Sequence, residues 1–500
     1  MVRSMSPANR WLILFTVIAA FTPVVVDMTI LHIAVPSLTL ALGATSTQVL
    51  WIIDIYPLVM AGLLVPMGTL GDRMGHRRIM LIGLTVFTIA SIAAAFSVSA
   101  PMLIVSRALL AVGGSMIMPA VLAIVRQAFE DDAERAKALG IWTVVGSAGG
   151  AIGPLAGGFL LEHFWWGSVF LVNVPIMAIV LPLAFRFLPT AQPNPAIQWR
   201  IGQAIFLLIG LVATVFAIKT GAKGEAALWQ PILAFGLGLI LLVWFAHTQL
   251  RSASPMLDLS LFKNRAIVAG LLMAFVSTGA LAGFELVLAQ ELQFVAGLSP
   301  LDAGLFMLPL IAAAAVAGPI AGWLVQIVGL RAMASVGLLI AAAAFASISM
   351  VDLREQSAIV MAALVALGFS LGATLLGGSV AIMGGAPAER AGAAGALEST
   401  GFELGGALGI TFFGVLVGAV YKASLDLSDP SLAGSSIGEA AIAARALAPE
   451  SANALMAAAG SAFIEAHEVV LQGAAVLMIV LALAVSMILK GQKISASAHG

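Results

Sequence analysis

The chain has 500 residues, 61% hydrophobic and only 9% charged, with a net charge of −1 and no cysteine. A soluble domain carries about 25% charged residues, so this composition belongs in a bilayer. The missing cysteines exclude a disulfide framework, a thiolate metal site and a cysteine nucleophile, and no basic stripe marks a nucleic-acid partner. Crossing about 30 Å of hydrocarbon takes about 20 helical residues. Runs of that length recur over about 11–35, 47–70, 79–97, 101–123, 138–160, 168–187, 201–219, 230–247, 266–293, 302–325, 332–350, 357–380, 393–420 and 467–489. They predict an all-α integral membrane protein of about fourteen transmembrane helices. A barrel is excluded because the runs are continuous rather than alternating. The first run is too long for a signal-peptide core and reads as a retained span.

Lys and Arg resist translocation and so set orientation. With the N-terminus inside, seventeen of the 23 Lys and Arg fall on the cytoplasmic side, five (Lys219, Lys223, Arg354, Lys422 and Arg445) on the other, and Arg107 within a span. Both termini are then cytoplasmic. Trp51, Trp165, Trp166, Trp199 and Trp229 sit near span ends, as an aromatic belt requires.

The loop after the second run reads "GTLGDRMGHRR" (68–78), and the loop after the tenth reads "GWLVQIVGLRA" (322–332). Gly68, Gly75 and Arg77 correspond to Gly322, Gly329 and Arg331, whereas Asp72 becomes Gln326. This repeat divides the chain into a six-helix bundle (1–190), two linker helices (191–255) and a second six-helix bundle (256–500). Parallel repeats of this kind are one transporter plan, with the substrate site between the halves. Within the loop, Gly68 and Gly75 permit a tight turn. Asp72 and Arg73 are placed to pair with each other or to cap helix ends in a rocking bundle, with Arg77 and Arg78 beside them; topology alone also explains the basic residues. In "GGAIGPLAGG" (149–158), Gly149, Gly153, Gly157 and Gly158 let helices approach closely and Pro154 can bend the span; tight packing without a functional bend is the alternative.

The loop "GTLGDRMGHRR" resembles the signature of the major facilitator superfamily at every position. "DMTILHIAVP" (27–36), "GGAIGPLAGG" and "LQFVAGLSPLDAGLFMLP" (292–309) resemble its fourteen-helix drug:proton antiporter branch, and within it the enterobacterial exporters of methyl viologen and cationic antiseptics. One departure is that "RALLAVGG" places Leu110 and Ala111 where the family has Gln and Gly. The resemblance implies proton-coupled export of lipophilic organic cations across a bacterial inner membrane, driven by the proton gradient without a cofactor. Its partners are cationic small molecules, protons and lipid, and a monomer is expected; a periplasmic adaptor, used by some relatives, cannot be read from this sequence. No Walker loop, GxSxG or HExxH stretch supports an enzyme. An exporter of an anionic or zwitterionic metabolite held by Arg107, and a non-transporting scaffold or sensor, are the competing readings.

At 1.5 Å rise per residue, Asp27, Asp54, Glu285 and Arg107 lie about 9–12 Å below the outer ends of their spans, close enough in depth to form one cluster. Glu403 lies about 15 Å from the inner end, near the midplane, and Glu398 points about 140° away around the same helix. An ionised carboxylate at such depth costs at least about 2.5–3.5 kcal/mol, so these acids face a cavity, a partner or a proton path. A carboxyl taken out of water holds its proton more tightly and a nearby cation loosens it, so proton and cation compete for one site. Asp27 is therefore the principal candidate for coupling, with a permanent Asp27–Arg107 packing bridge as the alternative. His32, near the outer end of its run, reads as interfacial, and His163 and His467 are ambiguous. The long segment 421–466 predicts an external hairpin of two short helices: one opens with a Ser436/Glu439 capping box, the second runs from Pro449 to Gly460, and Ile442, Leu447, Leu455 and Met456 form its apolar face.

Overall fold

The computed structural model describes residues 7–129, 131–190, 193–197, 199–223, 227–252, 255–353, 357–387, 390–426 and 434–491. Arg3, Arg354 and Lys493, counted in the charge asymmetry, lie outside the described residues. The chain runs through α1 (Pro7–Leu42), α2 (Ser46–Met74), α3 (His76–Ala95), α4 (Ala100–Ala128), α5 (Asp132–His163), α6 (Ser168–Leu171) and α7 (Asn173–Phe187). Next come α8 (Ile201–Lys223), α9 (Trp229–Arg251), and α10 (Arg265–Gln290), which continues into a π-turn at Glu291–Val295. The remaining helices are α11 (Pro300–Val328), α12 (Leu330–Ile348), α13 (Ala358–Gly385), α14 (Ala391–Ser424), α15 (Ile437–Ala444) and α16 (Pro449–Ile488). Among the described residues 13 helices are long and apolar enough to cross a membrane, or 14 with α5, bent by 40° between Gly150 and Ile152, counted as one span. Pro154 accounts for the bend, because it has no N–H to offer the Gly150 carbonyl one turn back. The starts are set locally: Thr45, Ser99, Asp131, Ser299 and Ser357 each accept a backbone N–H of the following first turn.

One buried core joins α1–α4 with α7, through residues such as Val24, Phe87, Ile117 and Met177. A second joins α10–α16, through Phe284, Met307, Phe345 and Phe463. A smaller cluster around Leu211, Val215 and Phe245 of α8 and α9 touches α2 at Leu58 and α14 at Ala407. Packing repeats between the halves: α2 lies on α4 as α11 lies on α13, and α3 on α7 as α12 on α16. The two repeat loops have the same backbone form. Gly75 has φ 95° and Gly329 φ 80°, which a side chain would strain. Arg77 donates to the Phe185 carbonyl at the end of α7, and Arg331 donates to Ser486 at 3.0 Å near the end of α16, so each loop is tied to the last span of its own half. We call this the loop end of the bundle and the opposite one the cap end.

At the cap end the structure departs from the expected hairpin. α15 forms, with the Ser436 hydroxyl accepting the Glu439 N–H, but Pro449 opens α16, which continues without a break to Ile488. Gly460 does not end a helix because the buried stripe Leu455, Ala459, Ala462, Phe463 and Ala466 runs straight across it. The Glu439 carboxylate does not close the capping box. It accepts Ser46 N–H at 2.7 Å, at the start of α2, and Ser435 N–H at 2.7 Å. Arg445 adds a bond to the Leu40 carbonyl of α1 at 3.2 Å. A segment of the second half is thus clipped onto the first, where a carboxylate also favours the N-terminal end of the α2 dipole. Glu439→Gln removes a charge-assisted bond worth about 1.5–3 kcal/mol. Hydrogen exchange at the first α2 amides, measured on the full-length protein in detergent, is expected to accelerate about tenfold or more relative to wild type.

Candidate functional site

Between the two cores lies a cavity of about 290 Å³. α1, α2 and α4 contribute His32, Tyr56 and Arg107, while α10 and α14 contribute Glu285, Phe402 and Glu403. The halves meet around it toward the cap end. A methyl group at Gly158 would lie 2.7 Å from the Pro300 carbonyl, and one at Gly304 would lie 2.8 Å from the Pro154 carbonyl, so α5 and α11 touch backbone to backbone. Three other glycines of that motif serve α1: Gly149 faces Val25, Gly153 faces Thr29 and Gly157 faces Ile30. The α10–α1 seam is closed by Gln293, which donates to the Ile33 carbonyl at 3.0 Å.

The acids of similar depth do not gather into one cluster, because each takes its own partner. Asp27 pairs with Arg107 at 2.5 Å, both side chains shut off from solvent. The Arg107 guanidinium also donates to the Ile52 carbonyl at 3.1 Å and lies over the Tyr56 ring at 4.8 Å. Asp54 pairs with Lys219 at 2.7 Å and accepts the Thr411 hydroxyl at 2.5 Å. Lys219 was expected at the outer end of its run, counted with the outer-side charges, yet it is 2% exposed, and its ammonium sits 4.2 Å from the Trp51 ring. The run ended there only because a lysine ended it; α8 continues to Lys223. Arg107 is therefore not alone among basic residues within the spans. Glu285 pairs with His32 at 3.0 Å across the two halves. The interfacial reading of His32 does not hold, because α1 extends to Leu42 and leaves the imidazole 4% exposed inside the bundle.

Glu403 differs from these three. It is 6% exposed, lines the cavity, and among the described residues no donor reaches its Oε2. Glu398, on another side of α14, is half-buried beside Ser379 of α13. Sequence reasoning missed one acid: Glu291, in the π-turn, pairs with His467 beneath a second cavity of about 450 Å³. An acid immediately before the "LQFVAGLSP" turn was the available signal. In the loop "GDRMGHRR" Asp72 pairs with His76 at 3.0 Å rather than with Arg73, across the Gly75 turn where α2 ends and α3 begins. Arg73 is half-buried and Arg78 exposed. Gly68 lets α2 close on Pro119 of α4.

The cavity therefore carries one ion pair, one histidine–carboxylate hydrogen bond and one carboxylate without such a partner among the described residues, between aromatic and apolar walls. Chemically this is a place for one proton or one lipophilic cation. The Asp27–Arg107 pair makes a stability prediction. Asp27→Asn leaves a buried guanidinium unpaired, which costs about 3–5 kcal/mol, whereas D27N/R107M removes both charges and is expected to recover most of that loss. Thermal unfolding of the four members of this cycle in detergent measures the coupling.

With this geometry in view, similarity to known proteins becomes specific. The chain is 45% identical over 480 residues to the methyl viologen resistance protein SmvA of Salmonella typhimurium, covering 95% of this chain and 97% of that one. It is 36% identical to the multidrug efflux pump LfrA of Mycolicibacterium smegmatis, covering 92% of each. A bacterial homologue of the human lysosomal transporter Spinster, solved inward-facing and unoccupied, superposes with a TM-score of 0.69 at 18% identity, covering 99% of this chain and 100% of that chain, and so shares the fold. The sequence profile of the Major Facilitator Superfamily matches residues 17–410. Helix order, repeat loops and these similarities agree: the chain belongs to the Major Facilitator Superfamily.

Proposed function

We propose that this chain is a proton-coupled exporter of lipophilic organic cations in a bacterial inner membrane, with both termini cytoplasmic and the cap end facing outward. The observation that carries the reading is Glu403, a buried carboxylate aimed into the cavity between the halves with an oxygen unpartnered among the described residues. An unmatched anion between aromatic walls suits a cation and not an anion, and the Arg107 charge that an anionic substrate would need is already matched by Asp27. The names of the relatives, a methyl viologen resistance protein and a multidrug efflux pump, point to the same substrate class.

The geometry suggests how exchange works. With the halves packed together toward the cap end, a cation enters from the loop end and takes the Glu403 carboxylate as its counter-ion. The halves then rock, so that the cavity opens at the cap end. A proton arriving from that side neutralises the carboxylate and releases the cation. The protonated form returns, releases its proton at the loop end and is ready for the next cation. Because one carboxylate serves both, the proton gradient drives the export.

Two measurements test this. In proteoliposomes with an imposed pH gradient, export of methyl viologen and of ethidium is expected to stop when the gradient is collapsed; export that persists would remove proton coupling. Glu403→Gln should cost the dication methyl viologen about tenfold or more in transport and binding, and the monocation ethidium less, because a charge-assisted contact is worth about 1.5–3 kcal/mol and scales with the charge it meets. Equal losses for the two would count against direct contact with Glu403.

A further inference from the structure

Among the buried charges that the mechanism above does not use, the group around Asp54 draws on the most distant parts of the chain. Asp54, Lys219, Thr411 and Trp51 come from three parts of the chain: Asp54 and Trp51 from α2, Thr411 from α14, and Lys219 from the first linker helix α8. Carboxylate, hydroxyl and indole face are the elements that recognise an organic cation. Here the chain's own ammonium fills that place, 2.7 Å from the carboxylate and 4.2 Å from the ring centre.

This lysine is held differently from Arg107. Arg107 has a second anchor in the Ile52 carbonyl and is stacked on Tyr56. Lys219 carries three N–H donors on a flexible four-carbon stem, and among the described residues only the Asp54 carboxylate and the Trp51 ring engage them. The other Asp54 oxygen, Oδ1, is buried with no donor among the described residues. Asp27 Oδ1 is buried without a donor in the same way, so what sets this pair apart is the looser hold on its cation. The position is also one of passage: neighbouring Ile53 and Tyr56 line the central cavity, and Lys219 lines a smaller vestibule of about 90 Å³ at the cap end together with Ser46, Leu50, Gln290 and Gly414.

We propose that Asp54 and Trp51 form a relay site for the exported cation between cavity and cap end, and that Lys219 is its tethered competitor, returning to the carboxylate to expel the cargo. The proposal rests on the export of organic cations argued above. When the halves part at the cap end, α14 withdraws Thr411 from Asp54 and water reaches the ion pair. Its attraction weakens as the local dielectric rises, and a cation leaving Glu403 exchanges with the ammonium. Closure brings Thr411 back, strengthens the Lys219–Asp54 pair and leaves no room for the cargo. The linker helices thereby deliver a working residue rather than serving as a spacer.

The test uses the full-length protein with ethidium as probe, followed by fluorescence for equilibrium binding in detergent and by efflux in proteoliposomes. Lys219→Met keeps the length of the stem and removes the charge. It is expected to bind ethidium three- to tenfold more tightly and to export it several-fold more slowly, because the cargo is no longer displaced. D54N/K219M, which removes the counter-charge as well, is expected to lose that gain in affinity. Unchanged binding and efflux in Lys219→Met, slower efflux without tighter binding, or a gain in affinity that survives in the double variant would each overturn the proposal. Should Lys219→Met fail to fold, Trp51→Leu leaves the ion pair intact and is expected to slow ethidium efflux two- to fivefold; wild-type efflux in that variant would also overturn it. A wild-type protein that neither binds nor exports ethidium would instead refute the functional reading on which the proposal stands.

Discussion

A charge held inside a membrane-embedded bundle must find a counter-charge or titrate, because leaving water costs several kcal/mol per ion. The interior of this protein is arranged around that requirement. Asp27 is matched by Arg107 and Asp54 by Lys219, while Glu285 and Glu291 take hydrogen-bonding partners in His32 and His467. Glu403 alone among these acids has no such partner among the described residues, and it lines the cavity. A matched pair draws two elements together, whereas Glu403 leaves in the cavity wall a carboxylate that no side chain among the described residues neutralises. Two of the pairs also connect different units, His32–Glu285 the two halves and Asp54–Lys219 the first half and the linker. The same electrostatics that stabilise the core therefore also resist its rearrangement.

Close backbone approach is the second requirement, and glycine meets it where the units touch. Gly158 and Gly304 let α5 and α11 meet at the Pro300 and Pro154 carbonyls, and Gly414 makes room for Leu50 where α14 meets α2. Interfaces built from small residues give up little apolar contact when they slide, which suits surfaces that must part and rejoin. Within each half the opposite holds, with large side chains such as Phe87, Phe284, Phe345 and Phe463 fully buried. Each half can thus move as a body, tied at the loop end by Arg77 to α7 and by Arg331 to α16.

Much of this was legible in the sequence for particular physical reasons. Hydropathy marks spans because the bilayer has a fixed thickness, and the glycines at 75 and 329 mark two equivalent turns because only glycine adopts their φ without strain. The depth of Asp27 and Arg107 made their pairing one of two readings, and the structure contains that pair. What could not be read was partner choice across elements. Nothing in the local sequence around Lys219 says that α8 carries it past a span end into contact with Asp54, which lies far away in the chain. Helix ends misled in the same way at His32, where α1 runs on to Leu42, and at Gly460, where a buried stripe on the second half carries α16 through a residue that often ends helices. Tertiary packing overrode local signals at each of these points.

Opening the cap end requires several bonds to charged groups to break together: Glu439 to Ser46, Thr411 to Asp54, and His32 to Glu285. At about 1.5–3 kcal/mol each they amount to roughly 5–9 kcal/mol. A minor state populated at about 0.1–10% lies only about 1–4 kcal/mol above the major one. Thermal motion alone is therefore insufficient, and a ligand can supply only as much as its affinity differs between the two states. The remainder must come from contacts made at the loop end as it closes. There the partners found for Asp72 and Arg77 lie within the first half, at His76 and Phe185, and Arg78 is exposed. Asp72 and Arg78 are the charges that this loop leaves exposed. The energy of any state closed at the loop end therefore turns on what those exposed charges meet there, as well as on the buried pairs above them.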